Sequence, residues 1–226
     1  MMLQWRGCLP VAAAILGMSA ACNRAGDGTA TSRVMGDIDV AAGEHTGDVS
    51  TVNGSIHIRE NAIVGTAHTV NGSVALDSRA SAAELVTVNG SIDLARQAKV
   101  SGQVHTVNGR LSLADGAEVG GALVNVNGPI RVAAAHLGGG VDTVSGGVEL
   151  GPGAHVDGGI HVQKATGVSF HLFSEALPRI VVGPGSVVTG TLNFERPVKL
   201  YVSDQATIGP VQGATVVKSS GERPPD

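Results

Sequence analysis

Hydrophobic and polar residues alternate along most of this chain with a period of two. From Thr69 onward, Val70, Gly72, Val74 and Leu76 share one parity, and the following units repeat it. Alternation over short runs is the signal of a β-strand with one side turned inward. Helical spacing is absent from this region, and the glycine content disfavours helix. We therefore expect an all-β protein in which this set of residues faces the interior, including Val70, the valine that precedes Asn-Gly.

The sequence Thr-Val-Asn-Gly-Ser-Ile at residues 51–56 returns along the chain at a nearly constant interval. Near-copies begin at Thr69, Thr87 and Thr106 and, more loosely, at Asn125 and Thr143, so the steps are 18, 18, 19, 19 and 18 residues. A short fixed period indicates a repeat architecture in which each unit buries its apolar face against its neighbours.

Each unit has room for three short strands, which predicts a triangular coil. The fold we expect is a single-stranded parallel β-helix, a solenoid with about 18 residues per coil. Nine or ten coils stacked at the spacing between strands would make a rod roughly 45 Å long. Parallel β connections are nearly always right-handed, so we predict right-handed winding. The alternative is the opposite hand, because triangular hexapeptide solenoids are a known exception to this rule.

The Asn-Gly pair of the repeat predicts a tight corner, because both residue types tolerate positive φ. Asparagines one coil apart would stack and form a ladder of side-chain amides. The alternative is that this column binds a ligand. The threonine column beside it is explained by β propensity. The predicted turn and ladder residues are Asn53, Gly54, Asn71, Gly72, Asn89, Gly90, Asn108, Gly109, Asn127 and Gly128.

Composition divides the chain into four predicted parts. Residues 1–22 form a signal peptide, residues 23–32 a flexible tether, residues 33–217 the solenoid with an interruption at 173–178, and residues 218–226 a disordered tail. Glycine and small polar residues in the tether are typical of a flexible linker that has no fixed structure. Phe194, Tyr201 and Pro197 or Pro210 are candidates for closing the end of the solenoid.

The first 22 residues carry an export signal. A short apolar stretch at residues 8–18 is followed by three small residues and then Cys22. This stretch is too short to cross a bilayer. The cysteine at the junction resembles a bacterial lipoprotein signal, which implies that Cys22 becomes the lipidated first residue. The alternative is an ordinary secretory peptide cut near Ala20 or Ala21, leaving Cys22 as a free thiol.

Cysteine usage favours the lipid anchor. The only other cysteine, Cys8, lies inside the removable segment, so the mature chain has one cysteine and no internal disulfide. In lipoproteins of the enterobacterial type, an acidic residue directly after the cysteine retains the protein at the inner membrane. Asn23 and Arg24 are not acidic. The resemblance therefore implies an outer-membrane location, facing the periplasm or the surface.

Two of the three phenylalanines, Phe170 and Phe173, lie at the place where the repeat is interrupted. Insertions in repeat proteins tend to lie on a binding face, which makes these two residues a possible partner contact. The alternative is an apolar flap that packs on the rod itself.

The charge pattern gives no reason to expect a nucleic-acid partner. The net charge is −4, and no run of lysine or arginine occurs. Among the eight histidines, the columns that contain His57 and His68 do not pair two histidines in adjacent coils, so we predict no metal site and no cofactor. No nucleophile elbow occurs, and aromatics make up only 2%, which leaves few platforms for sugars. We expect no catalytic residues and no enzyme activity.

The alternating small aliphatics and glycines between Arg33 and Val211, clearest at residues 99–104 and 186–194, resemble the bactofilins, which are polymer-forming bacterial β-helix proteins. The Thr-Val-Asn-Gly-Ser-Ile copies also resemble the β-strand repeats of bacterial surface adhesins. These resemblances imply a scaffold role without catalysis. We therefore expect a lipid-anchored envelope scaffold that associates through its ends or with an envelope protein. The alternative is a surface adhesin or binding module that uses the flank at residues 168–178.

Overall fold

The computed structural model describes residues 30–164 and 177–220 as a parallel β-solenoid of about ten turns. The described residues contain strands and turns but no helix, so none of them belongs to a helix that could cross a membrane. Each turn has three faces, named here in the order in which the chain runs through them. Every strand pairs in parallel with the equivalent strand one coil away. The all-β solenoid predicted from the sequence is confirmed.

The first face ends at the Asn-Gly corner of each repeat. Its strands are β1 (Thr31–Met35), β3 (Val49–Asn53), the second part of β5 (Ile63–Asn71), the second part of β7 (Ser81–Asn89), β10 (Val104–Asn108), β13 (Leu123–Asn127), β16 (Val141–Thr143), β19 (Ile160–Val162), β22 (Leu192–Phe194) and β25 (Val211–Gln212).

The second face follows that corner. Its strands are β2 (Ile38–Val40), β4 (Ile56–Ile58), β6 (Val74–Leu76), β8 (Ile92–Leu94), β11 (Leu111–Leu113), β14 (Ile130–Val132), β17 (Val148–Leu150), β20 (Arg179–Val182), β23 (Lys199–Ser203) and β26 (Val216–Ser219).

The third face leads back to the first face of the next coil. It contains the first parts of β5 and β7 and then β9 (Lys99–Val100), β12 (Glu118–Val119), β15 (His136–Leu137), β18 (His155–Val156), β21 (Val187–Val188) and β24 (Thr207–Ile208). The strands of the whole solenoid run from Thr31 to Ser219, two residues beyond each predicted limit of 33 and 217. Strand pairing is the same for either hand, so the right-handed winding stays a prediction.

The interior is filled by small aliphatic side chains, but their alternation changes phase at the corners. In one coil Leu85 and Thr87 are buried, Val88 is half-buried, and burial resumes at Ile92 and Leu94. The prediction that the motif valine points inward with the glycine is therefore wrong. Ile92 follows Thr87 by five positions, an odd step, because the chain turns there and the alternation restarts on the next face.

The change between 18 and 19 residues per coil is absorbed at a corner. Between the third and first faces, Ala82 and Leu85 are consecutive inward residues three positions apart, whereas Val100 and Val104 are four apart. The extra residue therefore lengthens a corner and leaves the pairing of the strands unchanged. This is why the repeat remains in register although its period is not constant.

The solenoid also stays in register across the interruption. Val148 of β17 pairs with Ile180 of β20, and Leu150 pairs with Val182. Before the residues that are not described, the last strand is β19 on the first face, and after them the first strand is β20 on the second face. Most of the predicted interruption at 173–178 lies outside the described residues, and so does the end of the predicted tail. Of the candidate end-closing residues, Phe194 is buried in the core.

Candidate functional site

The predicted asparagines form one column along the exposed corner between the first and second faces. Each side-chain amide donates a hydrogen bond from Nδ2 to the Oδ1 atom of the asparagine one coil earlier. The distances are 2.9 Å for Asn71 to Asn53 and 3.0 Å for Asn89 to Asn71, Asn108 to Asn89 and Asn127 to Asn108. Since the amides bind one another, this column ties coils together.

The glycines of the motif are required by close packing of the backbone. A Cβ atom at Gly54, Gly72, Gly90 or Gly109 would collide with the carbonyl oxygen of the corner glycine one coil earlier. None of these four residues has positive φ, so the prediction of a positive-φ corner is wrong for them; Gly128, with φ of 129°, does have it. These glycines are therefore required because the corner has no room for a side chain.

Positive φ occurs instead at the corner between the second and third faces. Asn61, Arg79 and Gln97 adopt φ values of 59°, 60° and 59°, and Gly116 and Gly153 take the equivalent position in later coils. The turn is closed by backbone hydrogen bonds such as that from the Ala62 amide to the Arg59 carbonyl, 3.0 Å. This corner has no single residue type, so the sequence gives no signal for it.

Cys22, Phe170 and Phe173 lie outside the described residues. Their predicted roles in lipidation and partner contact therefore stay predictions. The nearest described residues of the interruption are Lys164 before it and Leu177 after it, and both are exposed.

A polar cluster that sequence reasoning missed lies on the third face, where His136 begins β15, His155 begins β18 and Asp157 directly follows β18. His136 and His155 are in-register partners in adjacent coils, and their ring centroids lie 5.3 Å apart. Nε2 of His136 lies 2.9 Å from Oδ2 of Asp157, and Nε2 of His155 lies 2.9 Å from Oδ1 of the same carboxylate. We call His136, His155 and Asp157 the histidine cluster.

The backbone holds these three residues firmly. The amides of His136, His155 and Asp157 donate to carbonyl oxygens of the preceding coil at 2.9, 2.9 and 2.8 Å. The carboxylate of Asp157 therefore bridges two adjacent coils, because it contacts His136 in one and His155 in the next. The hydrogen bond from His136 is the main cause that lowers the pKa of Asp157, and the bond from His155 adds to it.

The signal that could have found the cluster is the spacing between the two histidines. His155 follows His136 by 19 residues, which equals one coil, and this column is distinct from those of His57 and His68. The sequence predicts that the columns of His57 and His68 pair no histidines in adjacent coils, whereas the column of His136 does pair two. Two imidazoles and one carboxylate are the donor types that divalent transition metals prefer.

The walls of the rod carry ion pairs that join adjacent coils. Arg59 pairs with Asp39 at 2.6 Å, and Lys99 pairs with Glu118 at 2.8 Å. The hydrogen bond from Arg59 holds the pKa of Asp39 below its usual range. Exposed pairs of this kind add little to stability, because solvent screens the attraction and two flexible side chains must be held in place. The walls therefore carry many charged side chains, but opposite charges lie next to each other and cancel locally.

The chain matches no protein-family model, no curated protein and no solved structure. The part of the resemblance to bactofilins and adhesins that the structure supports is the parallel β-solenoid with its repeat.

Proposed function

We propose that this protein is a non-catalytic scaffold of the bacterial cell envelope that assembles through the ends of its solenoid. The observation that carries the proposal is that the terminal strands at both ends of the described solenoid are paired on one side only. Among the described residues β1 pairs only with β3, and β26 pairs only with β23, so each leaves a strand edge unpaired. Exposed strand edges are templates for pairing with another chain.

Exposed apolar side chains accompany these edges. Val34 and Met35 on β1 are 72% and 77% exposed, and Val217 on β26 is 50% exposed. The walls differ, because their charged residues pair between coils. Val52 and Ile63 on the walls are exposed to a smaller extent, 40% and 42%. The greater apolar exposure at the ends favours growth along the rod axis over association side by side.

The experiment compares assembly of the purified full chain, in mild detergent, with that of end-charged variants. Sedimentation and negative-stain electron microscopy should show concentration-dependent linear assemblies of wild type. The variant Val34→Lys/Met35→Lys should remain monomeric, because charges on an edge strand oppose pairing. The control is Val52→Lys, since Val52 is 40% exposed but lies on the wall.

Two results would contradict end-to-end assembly. Wild type could stay monomeric at the highest soluble concentration, or Val52→Lys could reduce assembly as much as the double end variant. Circular dichroism of each variant shows whether the β-structure is retained, so loss of fold is not mistaken for loss of assembly.

The proposed envelope location depends on a lipid at Cys22. A bacterial lipoprotein carries acyl chains on its first cysteine, and two or more chains give lasting membrane attachment. A radiolabelled fatty acid should be incorporated into wild type but not into Cys22→Ser. Equal labelling of both proteins would rule out this anchor, and fractionation of the labelled cells would report which membrane holds the protein.

A second candidate function is a binding module that uses residues 168–178. It is favoured by the register that β17 and β20 keep across the interruption, because an insertion that leaves the solenoid intact is free to serve a partner. Replacing residues 166–175 with a Gly-Ser linker of the same length should abolish capture of an envelope partner while the β-rich circular dichroism is retained. Unchanged capture would count against this function.

A further inference from the structure

The histidine cluster has the arrangement of a metal site rather than of an ordinary surface ion pair. Both Nε2 atoms are directed at one carboxylate, and the potential ligand atoms of the three residues all lie within 4.8 Å of one another. Tetrahedral Zn²⁺ with ligands at about 2.0–2.1 Å places its ligand atoms roughly 3.3 Å apart. The separations in the cluster therefore need only small side-chain adjustments to accept an ion.

We propose that His136, His155 and Asp157 bind one divalent transition-metal ion, with Zn²⁺ as the representative, and that this ion clamps two adjacent coils. The donor set excludes the harder cations, because Mg²⁺ and Ca²⁺ are held by oxygen ligands, whereas imidazole suits zinc, copper and nickel. The three ligands come from two coils, so the bound ion joins β15 to β18.

The position of the ligands on strands makes the site well ordered before the metal binds. His136 and His155 are fixed in register by strand pairing, and Asp157 is fixed by its backbone bond to the preceding coil. All three side chains are at least partly exposed, so the remaining coordination positions are open to water. Such a site has three protein ligands and an exchangeable fourth position.

In the absence of metal, each Nε2 can donate its proton to Asp157. Metal binding requires that Nε2 of both rings be free of the proton, with the proton on Nδ1 instead. The carboxylate then contacts the ion in place of the two protons. The cluster therefore exchanges two hydrogen bonds for three metal bonds without moving the backbone.

The test is titration of the purified full chain with Zn²⁺ at pH 7.5, followed by isothermal calorimetry and thermal unfolding. The protein carries Cys8→Ser and Cys22→Ser so that no thiolate competes for the ion. We expect one site per chain, and we expect saturating Zn²⁺ to raise the unfolding temperature because it binds only the folded protein.

The decisive variants are His155→Gln and Asp157→Asn. Loss of a ligand should weaken Zn²⁺ binding at least tenfold, since even the outer partners of metal ligands cost about 10–100-fold in affinity when changed. The matched control is His57→Gln. His57 contacts Asp77 at 2.9 Å in a His–carboxylate pair of the same length but without a second histidine. This control should bind Zn²⁺ as wild type does.

Co²⁺ provides a second readout that does not depend on stability. Tetrahedral Co²⁺ held by nitrogen and oxygen ligands gives intense visible absorption bands, which wild type and His57→Gln should show and His155→Gln should lack. The proposal is overturned if wild type binds Zn²⁺ only above about 1 mM. It is equally overturned if His57→Gln lowers affinity as much as His155→Gln while circular dichroism shows both proteins folded.

Discussion

The side-chain hydroxyl of Thr69 donates a hydrogen bond to the carbonyl oxygen of Gly54, the corner glycine of the preceding coil, at 2.8 Å. Thr69 is fully buried, so the bond lies inside the solenoid. Equivalent bonds occur at 3.1 Å from Thr51 to Gly36, at 2.9 Å from Thr87 to Gly72 and at 3.0 Å from Thr106 to Gly90. The threonine column therefore satisfies the corner carbonyls that would otherwise be buried without a donor.

Replacing Thr87 with valine should destabilise the protein by about 1–2 kcal/mol. The shape of the side chain is retained, but the carbonyl of Gly72 loses its donor in the interior. Urea denaturation followed by circular dichroism measures the loss. The control is Thr207→Val, because Thr207 is exposed and its in-register partner Val187 is already a valine. An equal effect at the two positions would contradict the role of the hydroxyl.

The two kinds of corner glycine should respond differently to alanine. Gly90→Ala places a Cβ atom against the backbone carbonyl of Gly72, and we expect a loss of roughly 3 kcal/mol or more, because the backbone itself must move. Gly153→Ala meets no atom closer than 3.9 Å but keeps a φ of 72°, which costs about 1 kcal/mol. Thermal unfolding of both variants tests this order, and the reverse order would refute the packing argument.

The sequence predicts the repeat and the asparagine ladder because both depend only on residues one coil apart. It does not predict where the alternation changes phase. Val86 and Val88 continue the apolar alternation and would be expected to point inward, but Leu85 and Thr87 are the buried residues. It also leaves the threonine bonds undetected, because threonine has a sufficient explanation in β propensity. The alternation places Asp157 beside His155 on one face, but its contact with His136 could not be predicted from register, since the side chain crosses to the neighbouring coil.

Asn125 takes the place of threonine in the buried column, but only part of its side-chain amide is hydrogen-bonded. Its Nδ2 atom donates to the carbonyl oxygens of Gly109 and Gly128 at 2.9 and 3.0 Å, but its Oδ1 atom is buried without a hydrogen-bond partner. Asn125→Thr should therefore stabilise the protein by about 1 kcal/mol, since threonine needs one partner only and Gly109 provides it. An increase in the urea midpoint supports this account, and a decrease shows that the larger amide fills space that threonine leaves empty.

His105 should make the protein sensitive to mild acid. Its Nε2 atom is buried without a hydrogen-bond partner, and burial lowers the pKa of His105 below its usual value, although the charge of Glu84 partly opposes this. The unfolded chain then binds the proton more readily, so stability falls as the pH drops below the unfolded histidine pKa of about 6.5, down to the folded pKa.

The variant His105→Val tests this dependence. Val86 and Val124 are the in-register partners of His105, so valine fits the column on both sides. At pH 7.5 we expect the variant to be more stable by roughly 1 kcal/mol, because no buried nitrogen lacks a partner. Between pH 7.5 and pH 5 its advantage over wild type should grow, since only wild type must exclude a proton from this position. Urea denaturation at the two pH values measures the difference, and an advantage that is the same at both would show that His105 does not titrate differently in the folded protein.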